Sequence, residues 1–534
     1  FLFAGRDVVS FEEFEQSNIS YYQLKKVVET GDVSIDYLVK SKITKKKITM
    51  VEPACEPYKL EEAMLDIPEQ AKKQKKILSF FIQHEAPIEK KLLLEKLHTT
   101  NQTVKSLQEK GLLKVYQMEV YRNPYNDDEF ERTYPLRLNE EQEIAIKPIQ
   151  QSIDEDQHDV FLLHGVTGSG KTEIYLQAIQ NVINNGKEAI VLVPEISLTP
   201  QMVKRFKGRF GKDVAVMHSA LSAGEKYDEW RRIHQKEVKV VVGARSAVFA
   251  PFENIGIIII DEEHENTYKQ EDQPRYHARD VAIYRAKNHD CPVVLGSATP
   301  TLESFARASK NVYKLATLRK RTNDMPMPEV EIVDMRNELH AGNRSMFSRR
   351  LVEKMNMVIE KKQQVVLLLN RRGYSTFVMC RDCGHVNECP HCDIALTYHK
   401  YSNKLKCHYC SYEENVPVLC PECSSDLIRY FGTGTQRVEE SLLEILPEAR
   451  ILRMDVDTTR RKGAHEKILT KFAKGEADIL LGTQMIAKGL DFENVTLVGV
   501  LTADSMLHLP DFRSSEKTFQ LLTQVSGRAG RHEL

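Results

Sequence analysis

The sequence predicts an α/β protein with two doubly wound parallel-sheet lobes, a winged-helix domain before them and a small Cys-rich insertion in the second lobe. Three observations support this prediction. Apolar strand patterns alternate with helical patterns from residue 137 onward, which is typical of parallel sheets covered by helices. Three short helical patterns and a hairpin pattern precede them. Four closely spaced C-x-x-C pairs interrupt the second series of strands.

The chain has 534 residues, which is enough for several domains that each bury a core. We predict six parts in chain order. They are a helical and winged-helix region (1–123), a linker (124–136), the first lobe (137–325), the first part of the second lobe (326–379), the Cys-rich insertion (380–425) and the second part of the second lobe (426–534).

The composition limits the classes of function. The net charge is −1, so nucleic-acid binding would depend on local basic patches. No apolar run is long enough to span a membrane, and the first residues lack a secretory signal pattern. Eight of the ten cysteines occur in close pairs, which argues against scattered disulfides. We expect a cytoplasmic protein and, because the sequence begins at Phe1, a piece of a longer chain.

The first 123 residues contain the predicted winged helix. Residues up to about 60 are helical in pattern and rich in lysine. Further helical patterns cover 70–84, 87–97 and 100–110, and a hairpin pattern follows. The third of these helices, with Thr103, Lys105 and Lys110, would be the recognition helix on DNA. Winged helices also bind proteins, so both uses stay open. The acidic, turn-rich segment 124–136 is predicted to be a linker.

A phosphate-binding loop pattern lies near the start of the first lobe. An apolar run typical of a buried strand precedes it, and a helical pattern begins at Lys171. The pattern G-x-x-x-x-G-K-[ST] consists of Gly165, Val166, Thr167, Gly168, Ser169, Gly170, Lys171 and Thr172. Backbone N–H groups of such a loop surround a phosphate chain at a helix N-terminus. Lys171 would reach the β- and γ-phosphates of ATP, and the Thr172 hydroxyl would bind Mg²⁺.

Acidic residues at the end of another strand complete the predicted nucleotide site. Asp261 and Glu262 follow the apolar run 257–260, which is typical of a central parallel strand. Open α/β sheets bind ligands at that end of their strands. Asp261 would hold Mg²⁺, and Glu262 would orient the attacking water or accept its proton. Upstream, Gln142 could hydrogen-bond both edges of adenine, although a glutamine at a helix start is common.

Turns rich in small hydroxyl residues end three strands of the first lobe, and such turns suit contact with a DNA backbone without base reading. Arg245 lies in one of them. The loop 268–277 interleaves aromatic, basic and proline residues and could stack on single-stranded bases. An ordinary polar surface loop is the alternative. The candidate DNA-binding residues of the loop are Tyr268, Arg275, Tyr276 and His277.

The second lobe carries further nucleotide-site candidates. A strand pattern leads into the segment 482–491, whose last residue, Asp491, is a predicted nucleotide-binding residue. Farther along, Arg528 and Arg531 are spaced by three and would project from nearly one helix face. Across a cleft from Lys171, they would neutralise charge that builds on the γ-phosphate. A surface salt-bridge pair is the alternative, but it does not explain the flanking glycines.

The insertion predicts two metal sites. Its four C-x-x-C pairs supply eight thiolates, which suit two tetrahedral, structural Cys₄ zinc sites. Iron–sulfur clusters are the alternative. Spacing alone allows three ways of combining the pairs, and we favour the nested one. The cysteines are Cys380, Cys383, Cys389, Cys392, Cys407, Cys410, Cys420 and Cys423.

Together these motifs resemble the superfamily 2 helicases, whose two lobes are RecA-like. The insertion and the segments 432–440 and 455–460 make the chain similar, over nearly its whole length, to the bacterial primosomal replication-restart helicases. The helicase motifs that carry the resemblance are 165–172, 261–264, 296–299 and 524–531. The resemblance implies nested zinc pairing. One ion would bind Cys380, Cys383, Cys420 and Cys423, and the other would bind Cys389, Cys392, Cys407 and Cys410.

The resemblance also implies a function. Members of this family unwind DNA 3′→5′ with ATP at stalled or collapsed replication forks, act on the lagging strand and start primosome assembly and replicative helicase loading. Implied cofactors are ATP, Mg²⁺ and two Zn²⁺. Implied partners are single-stranded and forked DNA, other primosome proteins and single-stranded DNA-binding protein. We expect a nucleoid-associated monomer. The loop 268–277 is similar to the family's aromatic-rich loop, which couples DNA contact to hydrolysis.

Two limits accompany the resemblance. The family's N-terminal domain, which binds the 3′ end of a nascent strand, and its C-terminal domain are not recognisable in this sequence.

Two other functions would use the same nucleotide motifs. A zinc-bearing assembly platform would hydrolyse ATP to time protein loading, and a duplex translocase or RNA helicase would act on a different nucleic acid.

Overall fold

The computed structural model of the chain divides into two compact units, Phe1–Val120 and Tyr121–Leu534. It describes the whole chain except residues 1–7, 10–12, 15–16, 18, 36–44, 85, 123–124, 126–129, 195–199, 323–325, 371–376, 393, 400–401, 432–433, 456–457, 460–463, 484–485, 487–491, 508–510 and 528–534. Among the described residues, no helix has both the length and the apolar character needed to cross a membrane.

The first unit is a winged helix, as predicted. Its helices are α1 (Tyr21–Glu29), α2 (Pro57–Asp66), α3 (Lys72–Gln83), α4 (Lys90–Leu97) and α5 (Asn101–Glu109). Its strands are β1 (Lys46–Pro53), β2 (Ile88–Glu89) and β3 (Leu113–Val120). They form an antiparallel sheet in the order β2-β1-β3, and α3, α4 and α5 bury apolar residues in a shared core.

Two expectations for the first unit are wrong. The lysine-rich region is not helical throughout, because β1 pairs with β3 along all eight of its residues and buries Val51 in the core. Cross-strand pairing outweighs the local helical pattern there. Thr103 of α5 does not face DNA, because it is 9% exposed and its hydroxyl contacts the hydroxyl of Thr100. Lys105 stays exposed beside Glu109.

The first lobe of the second unit is built on seven parallel strands. They are β4 (Val160–Gly165), β5 (Glu188–Leu192), β6 (Val214–Met217), β7 (Val240–Gly243), β8 (Ile255–Asp261), β9 (Val293–Ser297) and β10 (Lys314–Leu318). Its helices are α6 (Glu140–Asp154), α7 (Lys171–Asn184), α8 (Pro200–Phe210), α9 (Ala223–His234), α10 (Ala278–Asn288) and α11 (Leu302–Ser309). The strand order is β10-β4-β9-β8-β5-β7-β6.

This strand order brings the predicted motifs to one edge of the sheet. Every residue of β8 is buried, as expected for a strand covered on both faces. Strand β9 lies between β8 and β4, so three carboxyl ends stand side by side. The phosphate loop follows β4, Asp261 ends β8, and Ser297 ends β9. The nucleotide motifs therefore meet because parallel strands share a direction.

The second lobe has a four-stranded parallel sheet in the order β17 (Ile451–Met454), β18 (Ile479–Gly482), β11 (Gln364–Leu369) and β19 (Val495–Leu501), interrupted by the Cys-rich insertion. Its strands and those of the insertion are β11 (Gln364–Leu369), β12 (Phe377–Cys380), β13 (Thr397–His399), β14 (Lys404–Lys406), β15 (Glu413–Asn415), β16 (Ile428–Phe431), β17 (Ile451–Met454), β18 (Ile479–Gly482) and β19 (Val495–Leu501). The helices are α12 (Met335–His340), α13 (Arg349–Glu360), α14 (Thr435–Ile445), α15 (Ala464–Ala473) and α16 (Ser514–Ser526). The two lobes and the insertion confirm the predicted fold class.

The predicted linker is bound to the first lobe by its described residues. We call the described residues between 121 and 137 the strap. The Tyr125 hydroxyl meets Nε2 of His218 at 2.9 Å, and the Thr133 N–H donates to the Gly208 carbonyl at 2.9 Å. The Leu136 N–H donates to the Glu173 carboxylate at 3.0 Å. Since Glu173 lies in the first turn of α7, the strap also supports the helix that follows the phosphate loop.

The most buried contact of the strap joins Arg122 to Asp228 of α9. Both the backbone N–H and the guanidinium of Arg122 donate to Asp228 at 2.9 Å, and the Asp228 side chain is fully buried. Gly224 makes room for the arginine, since a Cβ there would lie 2.9 Å from its Nε. A buried carboxylate is costly unless it is paired and hydrogen-bonded.

We predict that Arg122→Ala lowers the free energy of unfolding of the first lobe by about 2 kcal/mol, because it leaves a buried carboxylate with fewer partners. Urea denaturation measures the change. Arg132→Ala is the matched control, because Arg132 is an exposed arginine of the same strap. Equal unfolding curves for the two variants would contradict the prediction.

Candidate active site

The phosphate loop lies between β4 and the N-terminus of α7. Gly168 and Gly170 have φ angles of +83° and +79°, a backbone conformation that favours glycine. The Lys171 ammonium donates to the Gly165 carbonyl at 2.8 Å. Ser169 Oγ is buried and has no hydrogen-bond partner among the described residues. A helix N-terminus, a cation and an unsatisfied hydroxyl in one loop fit the phosphate chain of a nucleotide.

The side chain of Gln142, in α6, contacts the backbone of this loop. Its Nε2 donates to the Ser169 carbonyl at 2.9 Å, and its Oε1 accepts the Asn139 N–H at 2.9 Å. Gly170 permits the contact, since a Cβ there would lie 2.2 Å from Gln142 Nε2. The side chain is 3% exposed. The structure thus gives Gln142 a role in holding the loop, and its adenine contact stays a prediction.

Asp261 is held in place at the carboxyl end of β8. The hydroxyl of buried Tyr175 donates to Asp261 Oδ1 at 2.9 Å. Burial raises the pKa of Asp261 to about 6, the Glu262 carboxylate acts in the same direction, and Lys171 opposes both. Gly296 of the neighbouring strand leaves space for this pair, since a Cβ there would lie 1.6 Å from the Tyr175 hydroxyl. A carboxylate beside the phosphate loop fits a divalent cation.

Glu263 and His264 belong to the same motif as Asp261, but they are not among the predicted site residues. Glu263 is 2% exposed and accepts the Thr301 N–H at 2.7 Å and the Ser304 hydroxyl at 3.0 Å. His264 is 8% exposed, and its Nδ1 lies 2.8 Å from Ser297 Oγ. Their signal in the sequence is their position directly after a buried strand, at the end of the strand where open α/β sheets bind ligands.

The second lobe reaches this site through α16. The Gln524 side-chain amide donates to His264 Nε2 at 2.9 Å and to the Glu262 carboxylate at 3.4 Å. The His264 ring therefore lies between the Gln524 amide and the Ser297 hydroxyl, with one ring nitrogen in contact with each. Glu262 has a φ angle of +48°, a backbone conformation that is rare for residues other than glycine. It turns the chain between Asp261 and His264.

The end of α16 lies against the phosphate loop. The Gly527 carbonyl accepts from the Arg321 guanidinium at 3.3 Å, and a Cβ at Gly527 would lie 2.8 Å from the Thr167 side chain. Arg321 is 3% exposed. The predicted nucleotide-site residues Asp491, Arg528 and Arg531 lie outside the described residues. Thr172 lies half-buried in the first turn of α7.

The predicted DNA-binding residues divide into two groups. Tyr268 is 1% exposed, and its hydroxyl lies 2.6 Å from the Asp261 carbonyl and 3.1 Å from the Leu192 carbonyl. The prediction that Tyr268 stacks on DNA is wrong, because a buried ring cannot reach a base. The sequence pattern could not reveal this, because an aromatic residue in a loop packs inward as readily as outward. Tyr268 instead connects the loop 268–277 to the nucleotide site.

The other candidates lie nearer the surface. Arg275 is exposed, and its Nε donates to the Glu271 carbonyl at 2.9 Å. The Arg245 guanidinium lies 5.8 Å from the Tyr276 ring centroid and donates to the Lys269 carbonyl at 2.7 Å. The remaining candidate, His277, caps α10 by accepting the N–H of Arg279. Contact of these residues with DNA stays a prediction.

The eight cysteines of the insertion form two clusters in the nested arrangement. Within each cluster the four sulfur atoms lie within 4.8 Å of one another. One cluster is Cys380, Cys383, Cys420 and Cys423, and the other is Cys389, Cys392, Cys407 and Cys410. Four converging thiols complete a tetrahedral coordination shell by themselves, which fits structural zinc. The Tyr409 N–H points at Cys407 Sγ at 3.4 Å, as a thiolate ligand requires.

Four parts of the chain match known protein families. Residues 139–308 match the DEAD/DEAH box helicase family, and residues 416–533 match the helicase conserved C-terminal domain. Residues 45–120 match the winged helix domain of PriA helicase from Bacteroidota. Residues 389–414 match the PriA DNA helicase Cys-rich region domain.

Individual relatives decide the family. The replication restart protein PriA of Bacillus subtilis (strain 168) is 64% identical over 512 residues, which cover 96% of this chain and 64% of that protein. The chain belongs to the PriA helicase family. PriA of Synechocystis sp. (strain ATCC 27184 / PCC 6803 / Kazusa) is 48% identical over 83% of this chain and 54% of that protein. PriA of Chlamydia pneumoniae is 44% identical over 86% of this chain and 62% of that protein.

The chain thus spans 54% to 64% of the length of these PriA relatives. Among solved structures, RecG bound to a three-way DNA junction is 18% identical, with a TM-score of 0.42 over 74% of this chain and 42% of that chain.

We predict that Gln142→Ala lowers kcat/KM for ATP and for GTP together, each about tenfold, because the phosphate loop loses its hydrogen bond from the Gln142 amide. Nucleotide hydrolysis assays with both substrates measure the effect. Gln151→Ala, at an exposed glutamine of the same helix, is the control. A loss confined to ATP would show instead that Gln142 reads adenine.

We predict that Cys380→Ala releases about one of two bound zinc equivalents, because it removes one ligand of one cluster and leaves the other complete. A colorimetric zinc assay on the purified protein measures the stoichiometry. Cys55→Ala, at a cysteine of the first unit, should release none. Loss of both ions would mean that the two clusters do not hold metal independently.

Proposed function

We propose that the chain is the helicase core of an ATP-dependent DNA helicase that acts at stalled or collapsed replication forks. The assignment to replication forks is supported by the relatives, which are named replication restart protein PriA. The ATP-driven part is supported by one observation above all. A side chain of the second lobe, Gln524, bonds to two residues of the segment that follows Asp261 in the first lobe.

That contact gives nucleotide turnover a way to move the lobes. Glu262 and His264 follow Asp261 in the same short segment, so a change at the nucleotide site would reach the groups that Gln524 contacts. Closing the lobes would complete these bonds, and opening them would break them. A cycle of closing and opening would shift the grip of each lobe along one DNA strand.

Within this proposal each residue of the site has a role. Lys171 and the loop N–H groups would bind the β- and γ-phosphates of ATP, and Thr172 and Asp261 would hold Mg²⁺. Bound Mg²⁺ would neutralise phosphate charge. Glu262 would orient the attacking water or accept its proton. Arg528 and Arg531 would neutralise charge on the γ-phosphate, and Asp491 would contact the nucleotide.

The DNA side of the proposal includes 3′→5′ polarity, unwinding of the lagging strand and stimulation of ATP hydrolysis by DNA. Arg245, Arg275, Tyr276 and His277 would contact single-stranded or forked DNA. The two zinc ions would hold the insertion together, since so small a segment has little core of its own. We also propose that the chain starts primosome assembly and replicative helicase loading, with single-stranded DNA-binding protein and other primosome proteins as partners.

A zinc-bearing platform is the second candidate function. The insertion has its own small core and antiparallel sheet, and its exposed side chains include Tyr409, Val418 and Leu419. Such a surface suits protein contact. In that case hydrolysis would time the loading of other proteins, and the chain would not displace a DNA strand.

We predict that Lys171→Ala lowers DNA-stimulated ATP turnover by about 100-fold and abolishes strand displacement, because the phosphate charge loses its cation. A labelled forked duplex and a phosphate-release assay measure the two activities. DNA binding, followed by fluorescence anisotropy, should stay within about threefold. Lys147→Ala, at an exposed lysine of α6, is the control.

Two outcomes would decide against the helicase proposal. DNA-stimulated ATP turnover by the unmodified chain without displacement of any forked strand would favour the platform. Equal stimulation of turnover by RNA and DNA of one length would favour an RNA helicase or a less selective translocase.

A further inference from the structure

Helix α16 meets the first lobe at more points than Gln524. The Glu516 carboxylate accepts the Leu302 N–H at 3.0 Å, and the Gln520 amide donates to the Thr299 carbonyl at 3.3 Å. Glu516, Gln520 and Gln524 are spaced by four, so they lie on one face of the helix. We call these three residues the docking stripe.

The partners of the docking stripe are also ordered along the chain. Gln524 contacts His264, which is bonded to Ser297, and Gln520 contacts Thr299. Glu516 contacts Leu302, the first residue of α11. Gln520 and Glu516 therefore contact the segment that leaves β9 and enters α11 directly, and Gln524 is connected to its start through His264.

The contact at Glu516 is a helix cap supplied by the other lobe. The first N–H groups of a helix have no partner within it, and a carboxylate near them is favourable. In α11 the Ser304 N–H is satisfied by the Thr301 hydroxyl and the Thr301 N–H by Glu263, both from the first lobe. The Leu302 N–H is satisfied by Glu516 from the second lobe. An ion pair between Arg513 and Glu303 lies beside this cap.

The polar character of the stripe suits a contact that opens and closes. Gln520 is 8% exposed and Gln524 is 4% exposed, and buried amides need hydrogen-bond partners. When the lobes separate, water can replace those partners, whereas separated apolar faces would resist exposure. The stripe can therefore hold the lobes in register without locking them together.

The stripe also determines where the end of α16 lies. A helix of 13 residues is a rod roughly 20 Å long, so docking at its first half constrains its last residue. That end, Gly527, lies against Thr167 of the phosphate loop and accepts from Arg321. The chain that follows Gly527 carries the two arginines proposed above to act on the γ-phosphate.

We propose that Glu516 and Gln520 are positioning residues for hydrolysis, which dock α16 on the segment 297–304 and so align its end with the phosphate loop. The proposal rests on the proposed function for its ATPase readout. It assigns a role in hydrolysis to two residues of α16 that precede the helicase motif 524–531. They touch no reacting group and act through the position of α16.

The test uses Glu516→Ala and Gln520→Ala, singly and together, in the full chain. The kcat of DNA-stimulated ATP turnover should fall about fivefold in each single variant and at least tenfold in the double variant, as expected for one net hydrogen bond each. The dissociation constant for a fluorescent ADP analogue should stay within about twofold, because no residue of the phosphate loop is changed. Glu516→Gln keeps an acceptor oxygen and should restore most of the turnover.

A second measurement follows the docking itself. Hydrogen–deuterium exchange of the peptide around residues 298–306 should become faster in Glu516→Ala, since the Leu302 N–H loses its acceptor. Two controls should show wild-type exchange and turnover. Phe519→Ala changes an exposed side chain of the same helix, and Glu444→Ala removes an exposed carboxylate from α14 of the same lobe.

Wild-type turnover and exchange in the double variant would overturn the proposal. A fall in kcat with an equal loss of nucleotide affinity would also overturn it, since that pattern indicates a damaged phosphate loop. If the unmodified chain shows no DNA-stimulated turnover, the proposed function fails. The exchange measurement then still decides whether Glu516 docks the helix.

Discussion

The buried contact between the Gln524 amide and the His264 imidazole is the interaction on which the arrangement of the two lobes depends. His264 lies between Gln524 and Ser297, and all three side chains are almost completely buried. Buried polar groups need partners, so each member of the row requires the next to be in place. Movement of the second lobe would therefore change the bonds of residues that lie next to Asp261.

The first lobe supplies the rigid half of this arrangement. All seven parallel strands have their carboxyl ends at one edge of the sheet, so the backbone itself brings together residues that are far apart in sequence. Close packing refines their positions. Gly296 leaves space for Tyr175, whose hydroxyl holds Asp261, and Gly170 leaves space for Gln142, whose amide holds the phosphate loop. Glycine is required at both positions because a neighbouring polar side chain occupies the space that a Cβ atom would need.

The strap and the docking stripe show how segments outside the motifs support the site. The strap bonds to Glu173 in the first turn of α7, directly after the phosphate loop. The stripe bonds to the segment after β9 and caps α11. Both use backbone groups as partners, and backbone partners leave little trace in a sequence pattern. For that reason the sequence predicts only a linker at 124–136 and carries no signal for the docking stripe.

The sequence by itself determined the parts whose chemistry depends on local spacing. A loop of eight residues with three glycines and Lys171 makes a phosphate site where it joins a strand to a helix, and paired cysteines such as Cys380 and Cys383 make half of a zinc site by themselves. Only the tertiary structure decided that Tyr268 is buried, that β1 is a strand, and that Gln142 holds the loop. The physical reason is that burial and hydrogen-bond partners come from chain segments distant in sequence, and local pattern carries no record of them.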